Sequence, residues 1–227
     1  MEYSQIREFI LRRDEAHNFE LESAGILGYL IGPLTQEFPD AKFIFTFRDV
    51  YSWCESFINH ILNASSFKER ADNAEDIGMD AHSRDYASAL VPLLCKIPFE
   101  FFSGEDIILK NIEFIVKKMA EFWATWNERV LSSLPRQRSL MLRTSEISGS
   151  LRRIASFLDI PESSLNPKKS HSNRNRSKRI LFSQIGYERV KTWIGSEPMP
   201  LMSRYFPGLS IEDVCPYLNS PILSDGK

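Results

Sequence analysis

The sequence predicts a three-layer α/β domain in which helices flank a short parallel sheet. Two short segments, residues 42–47 and 139–142, have the apolar, aromatic and β-branched composition of buried strands. Segments with apolar residues at helical spacing follow the first strand, precede the second and follow it again. Because strands and helices alternate along the chain, we expect parallel strands joined by right-handed crossovers.

The first strand, residues 42–47, is a run of aromatic and β-branched residues without polar alternation, which indicates cover on both faces. The predicted helices span residues 50–62, 112–130 and 151–158. The last two end before Pro135 and Pro161, since proline cannot continue a helix. Trp123 and Trp126 lie on the apolar stripe of the long helix and are assigned to the core.

The size and charge of the chain indicate one ordinary globular domain, residues 1–227. Apolar residues make up 43% and charged residues 26% of the sequence, which disfavours disorder and fibrous repeats. The 28 Lys and Arg residues nearly balance the 30 Asp and Glu residues, leaving a formal charge of -2. Without a positive excess, broad binding to nucleic acid or to a membrane surface is not expected, and an anion site must be local.

Cysteine usage and hydropathy favour a cytoplasmic protein. The three cysteines are far apart and form no CxxC pair, which argues against a disulfide framework and against a structural zinc site. The longest nearly apolar stretch, residues 24–34, contains Pro33 and is much shorter than the ~20 residues of a membrane span. The first residues lack the basic and apolar regions of a secretory signal.

The exit of the first strand is a candidate anion site. Arg48 follows the apolar strand, and Ser56 lies eight residues later in the early turns of the next helix. Ligands of parallel sheets gather at the carboxyl ends of strands, where an arginine presents a planar fork to a phosphate. The alternative is that Arg48 pairs with Asp49 or Glu55 at the surface while Ser56 faces water.

Residues 38–49, FPDAKFIFTFRD, together with Ser56 resemble the 3′-phosphate-binding motif of the sulfotransferases that use 3′-phosphoadenosine 5′-phosphosulfate (PAPS). In that family, a strand beginning FPDAKFI ends in an arginine, and a serine eight positions later completes the site. The resemblance implies that Arg48 and Ser56 bind the 3′-phosphate of the nucleotide.

A second segment supports the first. Residues 140–161 resemble the later strand, turn and helix of the same family, with Asp159 in place of the usual glycine. The two motifs occur in the family's order. They imply the P-loop NTPase-like sulfotransferase fold.

Residues 168–179, here named the basic segment, follow that helix and contain six Lys or Arg residues and no acidic one. A basic loop at this place closes over the nucleotide in sulfotransferases. The resemblance assigns the 3′-phosphate contact to Arg174, with Lys168 and Lys169 as weaker candidates. The alternative is a solvated run of charges.

The family's Gly-rich 5′-phosphosulfate loop has no counterpart between Met1 and Lys42. That loop supplies backbone N–H groups to the 5′-phosphate and to the leaving group. We therefore expect a chain that is incomplete at its N-terminus, or a degenerate homologue. An unpaired edge beside the first strand would then favour self-association, or be covered by residues 4–13.

Sulfuryl transfer to a hydroxyl also needs a group that accepts the proton. The resemblance places Glu22 before the motif strand, where related enzymes carry polar catalytic groups. His60 lies one helical turn after Ser56. A surface glutamate and a histidine at the core boundary are the structural alternatives.

The resemblance predicts transfer of a sulfuryl group from PAPS to a hydroxyl or amine of a small-molecule or glycan acceptor, without a metal. Adenosine 3′,5′-bisphosphate is then the spent donor. A non-catalytic remnant that keeps the 3′-phosphate half-site and acts as a binding module is the alternative. A nucleic-acid-binding role for the basic segment is disfavoured by the neutral balance of the remaining chain.

Overall fold

The computed structural model describes residues 3–17, 20–21, 25–71, 95–166 and 180–215. The α-helices in these ranges are α1 (Tyr3–His17), α2 (Ile31–Glu37), α3 (Val50–Ala71), α4 (Glu105–Lys110), α5 (Ile112–Ser133), α6 (Leu151–Leu158), α7 (Leu181–Ile185), α8 (Tyr187–Ile194), α9 (Met199–Tyr205) and α10 (Ile211–Val214). The strands are β1 (Phe43–Phe47) and β2 (Ser139–Arg143). Short 3-10 helices cover Gly25–Tyr29, Phe99–Phe102, Arg136–Arg138, Thr144–Gly149 and Glu162–Ser164.

The two predicted strands form a parallel pair, which confirms the central element of the α/β prediction. Phe43 is the partner of Ser139, and the register continues to Phe47 opposite Arg143. Within the described ranges the sheet has these two strands. The three-layer arrangement therefore stays a prediction.

The expected cover of β1 on both faces is met in part, since Phe47 is buried and Phe43, Ile44 and Phe45 are half-buried. Its side chains alternate between the two faces, and Thr46 is exposed on one of them. On the other face, Met141 of β2 is 38% exposed. The aromatic composition of β1 instead supports contacts along the strand, with the Phe45 and Phe47 rings stacked 5.5 Å apart.

The three helices predicted from apolar spacing are confirmed. The structure extends the first of them to Ala71 and the longest to Ser133. Trp123 is buried, as predicted, whereas Trp126 is half-buried and contacts the ring of Tyr29 at a centroid distance of 4.1 Å.

The chain divides into two compact units. The first comprises Met1–Arg48 and Thr125–Ser172, and the second comprises Asp49–Ala124 and Asn173–Lys227. The prediction of a single domain over residues 1–227 stays a prediction.

In the first unit, the amphipathic helix α6 covers one face of the sheet. Leu140 and Leu142 of β2 are buried with Ile154 of α6, and Ile44 of β1 packs against this cluster. Helix α6 ends at Asp159, which adopts a left-handed conformation with φ of 61°. Glycine adopts this conformation without steric cost, which explains the glycine usual at this position of the resembling motif.

The turn that enters β1 is held by a single guanidinium group. Arg138 Nη1 donates hydrogen bonds of 2.9 Å to the carbonyl oxygens of Phe38 and Ala41, and Nη2 donates one of 3.2 Å to that of Thr35. The guanidinium group thereby pairs with one carbonyl group of α2 and two in the turn before β1. Because Arg138 immediately precedes β2, these bonds hold the start of β1 beside the start of β2.

The segment of residues 4–13 is helical, and its cover of a strand edge stays a prediction. It lies within α1, which packs against α2. Arg7 Nε donates a 2.9 Å hydrogen bond to Glu37, and the Tyr3 hydroxyl donates to Gln36. Polar side chains on one face of α1 make these contacts.

The second unit is organised around the apolar faces of α3 and the first half of α5. Ile58 and Leu62 of α3 are fully buried, as are Ile115 and Met119 of α5. The rings of Trp53 and Phe122 stack between these helices at a centroid distance of 6.2 Å. Among the described helices, none combines the length and apolar character required to cross a membrane.

Candidate functional site

Two arginines lie at the carboxyl edge of the parallel sheet in the first unit. Arg143 is the last residue of β2 and is in register with Phe47, the last residue of β1. Arg48 follows Phe47 directly and is half-buried. Because neighbouring strands lie about 4.8 Å apart, the two positions are adjacent at this edge. An arginine at the carboxyl end of each parallel strand suits the binding of an anion at this edge.

Arg143 is already engaged by a neighbouring carboxylate. Its side chain is 41% exposed, and its Nε lies 3.6 Å from Glu146 Oε1. Its backbone N–H donates a 3.2 Å hydrogen bond to Glu146 Oε2, which closes the turn after β2. At this exposure the ion pair is weak, and a phosphate can compete with Glu146 for the guanidinium.

Sequence reasoning assigned no role to Arg143, although the signal was available. The residue ends an apolar strand and precedes a polar turn, as Arg48 does. Its place beside Arg48 at the sheet edge depends on the register of β2 with β1, in which Arg143 is the partner of Phe47. The order of residues along the chain does not reveal that register.

In the second unit, Asp49 caps the helix that carries Ser56. Its Oδ1 accepts a 2.7 Å hydrogen bond from the backbone N–H of Ser52, and its Oδ2 accepts one from the Ser52 hydroxyl. Asp49 is buried, so the cap holds the first turn of α3 in a defined place. The sequence left open that Asp49 is a surface partner of Arg48, and the structure shows its carboxylate as a buried helix cap.

Ser56 and His60 lie four residues apart on α3. Ser56 is half-buried, and His60 is exposed. The His60 ring lies 6.4 Å from the Phe57 ring, in a tilted arrangement. Ile58 and Asn59, which lie between them in the sequence, are buried. They point to a different side of the helix, because successive side chains are about 100° apart around its axis.

Four of the predicted site residues lie outside the described residues. They are Glu22, Lys168, Lys169 and Arg174. Their roles stay predictions.

Burial keeps the three thiols of the second unit in the neutral form. Cys54, Cys95 and Cys215 are free and buried. Burial raises the pKa of Cys95 to about 12 and raises the pKa values of the other two thiols as well. Because the thiolate is the nucleophile, these groups are inert near neutral pH.

A charged cluster on the second unit includes Tyr51 and Lys191. The Lys191 ammonium donates 2.9 Å hydrogen bonds to Glu188 and Glu212, which raise its pKa. Burial raises the pKa of Tyr51, while the nearby Lys191 opposes that shift. Across the described ranges, no three His, Cys, Asp or Glu side chains are grouped so as to hold a metal ion.

Comparison with known proteins identifies one family. The sequence matches the sulfotransferase domain over residues 27–178, which is more than half of the chain. No curated protein and no solved structure matches the chain. The matched range contains β1, β2 and the arginines at their carboxyl ends.

Proposed function

Because the chain belongs to the sulfotransferase domain family, we propose that it transfers a sulfuryl group from PAPS to a hydroxyl or amine acceptor. The observation that carries the proposal is the pair Arg48 and Arg143 at the carboxyl edge of the parallel sheet. A nucleotide that bears a 3′-phosphate and a 5′-phosphosulfate presents several anionic oxygens to such an edge.

The residues at this edge fit a phosphate. Guanidinium groups donate paired N–H bonds to phosphate oxygens and keep their charge at every physiological pH. Arg48 is half-buried, which strengthens its interaction with an anion by reducing solvent screening. We assign the 3′-phosphate to Arg48, with a hydroxyl contribution from Ser56.

The basic segment supplies further donors in this proposal. Arg174 is the primary candidate for the 3′-phosphate, and Lys168 and Lys169 add positive charge. Ser and Asn residues between these cations are suited to loops and donate hydrogen bonds. These assignments rest on the position of the segment after the second motif.

When bound, PAPS supplies a sulfuryl group whose bond to the phosphate oxygen breaks as the acceptor oxygen or nitrogen bonds to sulfur. The acceptor proton then needs a base within about 3 Å. We propose Glu22 for that role and His60 as the second candidate. Small molecules and glycans with free hydroxyl or amine groups are the proposed acceptors.

Calorimetric titration tests the nucleotide site. Adenosine 3′,5′-bisphosphate should bind at least about tenfold more tightly than 5′-AMP, because only the former offers a 3′-phosphate for a charge-assisted bond. Equal affinity for the two nucleotides would contradict the assignment. Transfer of radiolabelled sulfate from PAPS to a panel of phenol, amine and glycan acceptors tests the reaction. Binding without any transfer would point to the binding module instead.

The base is tested with Glu22→Gln and His60→Gln. The correct substitution should reduce kcat and leave the affinity for adenosine 3′,5′-bisphosphate unchanged, because the base faces the acceptor. Wild-type turnover in Glu22→Gln would remove Glu22 from the proposal. Loss of turnover in His60→Gln alone would transfer the role to His60.

A further inference from the structure

The Glu55 carboxylate connects α3 to the start of α7 in the second unit. Glu55 lies on α3 and directly precedes Ser56. Its Oε1 accepts a 3.0 Å hydrogen bond from the backbone N–H of Phe182, in the first turn of α7. Burial, together with the charge of the nearby Glu55, raises the pKa of the Cys215 thiol, which follows α10. One side chain on α3 therefore holds the start of α7.

The start of α7 depends on this acceptor. The N–H groups in the first turn of a helix have no intrahelical partner. The Phe182 side chain is fully buried, so an unmatched N–H at this position would be costly. Glu55 provides the missing acceptor. The hydroxyl of Ser183 completes the turn by donating a 3.0 Å hydrogen bond to the Ile180 carbonyl oxygen.

The anchored turn immediately follows the basic segment in the sequence. Lys178 and Arg179 precede Ile180, the residue before α7. Chain connectivity therefore ties the end of the basic segment to Phe182. The backbone N–H of Phe182 in turn donates a hydrogen bond to Glu55, the residue before Ser56 on α3.

We infer that Glu55 is a positioning residue, whose carboxylate holds the start of α7, the first described turn after the basic segment in the sequence, against α3 at the residue next to Ser56. This inference rests on the proposed function, in which Ser56 and the basic segment bind the nucleotide. The charge of Glu55 is itself unfavourable near a bound phosphate, so its contribution is that of a hydrogen-bond acceptor.

A pair of substitutions separates the acceptor from the charge. Glu55→Gln and Glu55→Ala both remove the negative charge, but only glutamine keeps a side-chain oxygen that accepts the Phe182 N–H. Hydrogen exchange of the Phe182 amide, followed by NMR, should accelerate about tenfold in Glu55→Ala and remain close to wild type in Glu55→Gln. Glu55→Met, which preserves side-chain length, replaces Glu55→Ala if the alanine variant does not fold.

The functional measurement is the affinity for adenosine 3′,5′-bisphosphate. Glu55→Gln should bind at least as tightly as wild type, and Glu55→Ala about fivefold more weakly than Glu55→Gln. Glu188→Ala, in an exposed glutamate of the same unit, is the control and should change neither measurement.

The outcomes distinguish this inference from the function on which it rests. Unchanged Phe182 exchange in Glu55→Ala would overturn the anchoring role whether or not the nucleotide binds. Accelerated exchange with equal affinities of the two Glu55 variants would overturn the link to the nucleotide site. Failure of the wild type to bind the bisphosphate would refute the proposed function, while the exchange data would still decide whether Glu55 anchors α7.

Discussion

Arg143 ends β2 opposite Phe47, so it lies beside the point where Arg48 leaves β1. Both residues belong to the first unit. Parallel pairing is what makes them neighbours, since both strands then end at the same edge. Each of the two guanidinium groups is accordingly a candidate to bind an anion at this edge.

Arg48→Ala should remove most of the preference for adenosine 3′,5′-bisphosphate over 5′-AMP. The expected loss is about 1.5–3 kcal/mol, the range for hydrogen bonds to charged groups. Titration calorimetry with both nucleotides measures it. Arg152→Ala, at an exposed arginine of the same unit, serves as the matched control and should retain the preference. An undiminished preference in Arg48→Ala would exclude Arg48 from the 3′-phosphate site.

Glu146 competes with a bound anion for Arg143, which predicts opposite effects of two substitutions. Arg143→Ala should weaken bisphosphate binding, whereas Glu146→Gln should strengthen it about two- to threefold while keeping the backbone hydrogen bond at Arg143. Affinities measured at low and high salt check the cause. The gain in Glu146→Gln should shrink at high salt, because exposed charges are screened. A gain that is independent of salt would argue against competition.

Asp159→Gly should stabilise the protein by about 0.5–1 kcal/mol. Asp159 ends α6 with a φ of 61°, a region in which a Cβ atom is disfavoured. Asp159→Ala should instead lower the free energy of unfolding, because alanine tolerates this region less well than aspartate. Urea unfolding of the three proteins gives the order. Equal stability of the glycine and alanine variants would show that the backbone conformation is not the cause.

Gly28→Ala should destabilise the protein by about 1–3 kcal/mol through overpacking. A Cβ atom at Gly28 would lie 2.9 Å from Trp126 Cη2 and closer still to Cζ2, and Tyr29 packs against the same ring. Gly32→Ala is the control, since a Cβ there meets no atom within 4 Å. Thermal unfolding should show a loss for the first variant only. A neutral Gly28→Ala would mean that the Trp126 ring moves aside freely.

The buried thiols predict a loss of stability at alkaline pH. Below about pH 8.5 a thiol is protonated in the folded and in the unfolded chain, and stability does not depend on it. Between that pH and about 12, the raised pKa of Cys95, the unfolded chain releases the proton while the folded chain retains it. The free energy of unfolding should therefore fall by about 1.4 kcal/mol per pH unit for each such thiol. Urea unfolding from neutral to alkaline pH should show a smaller slope for Cys95→Ala, and an identical slope would disprove the contribution of Cys95.

Local sequence patterns predicted both strands and three of the ten α-helices in the described ranges. The repeat of apolar residues along α5 and α6 reflects the need of each helix to bury one face, and this need is already present in the order of residues. The strands were located from their β-branched and aromatic residues, and their parallel pairing from the intervening helices. The same local motifs carried the resemblance to sulfotransferases, which the domain match over residues 27–178 confirms at the level of the family.

The sequence by itself thus determined both strands, three of the helices, the family and the position of Arg48 at a strand end. Only the tertiary structure decided that Arg143 shares that edge and that Glu55 holds Phe182, 127 residues away in the chain. The burial of β1 was overestimated from the sequence, because the exposure of Thr46 depends on which distant elements pack against each face of the sheet. Local patterns encode which face of an element is apolar. Register and long-range hydrogen bonds depend on residues distant in sequence, and no local pattern specifies them.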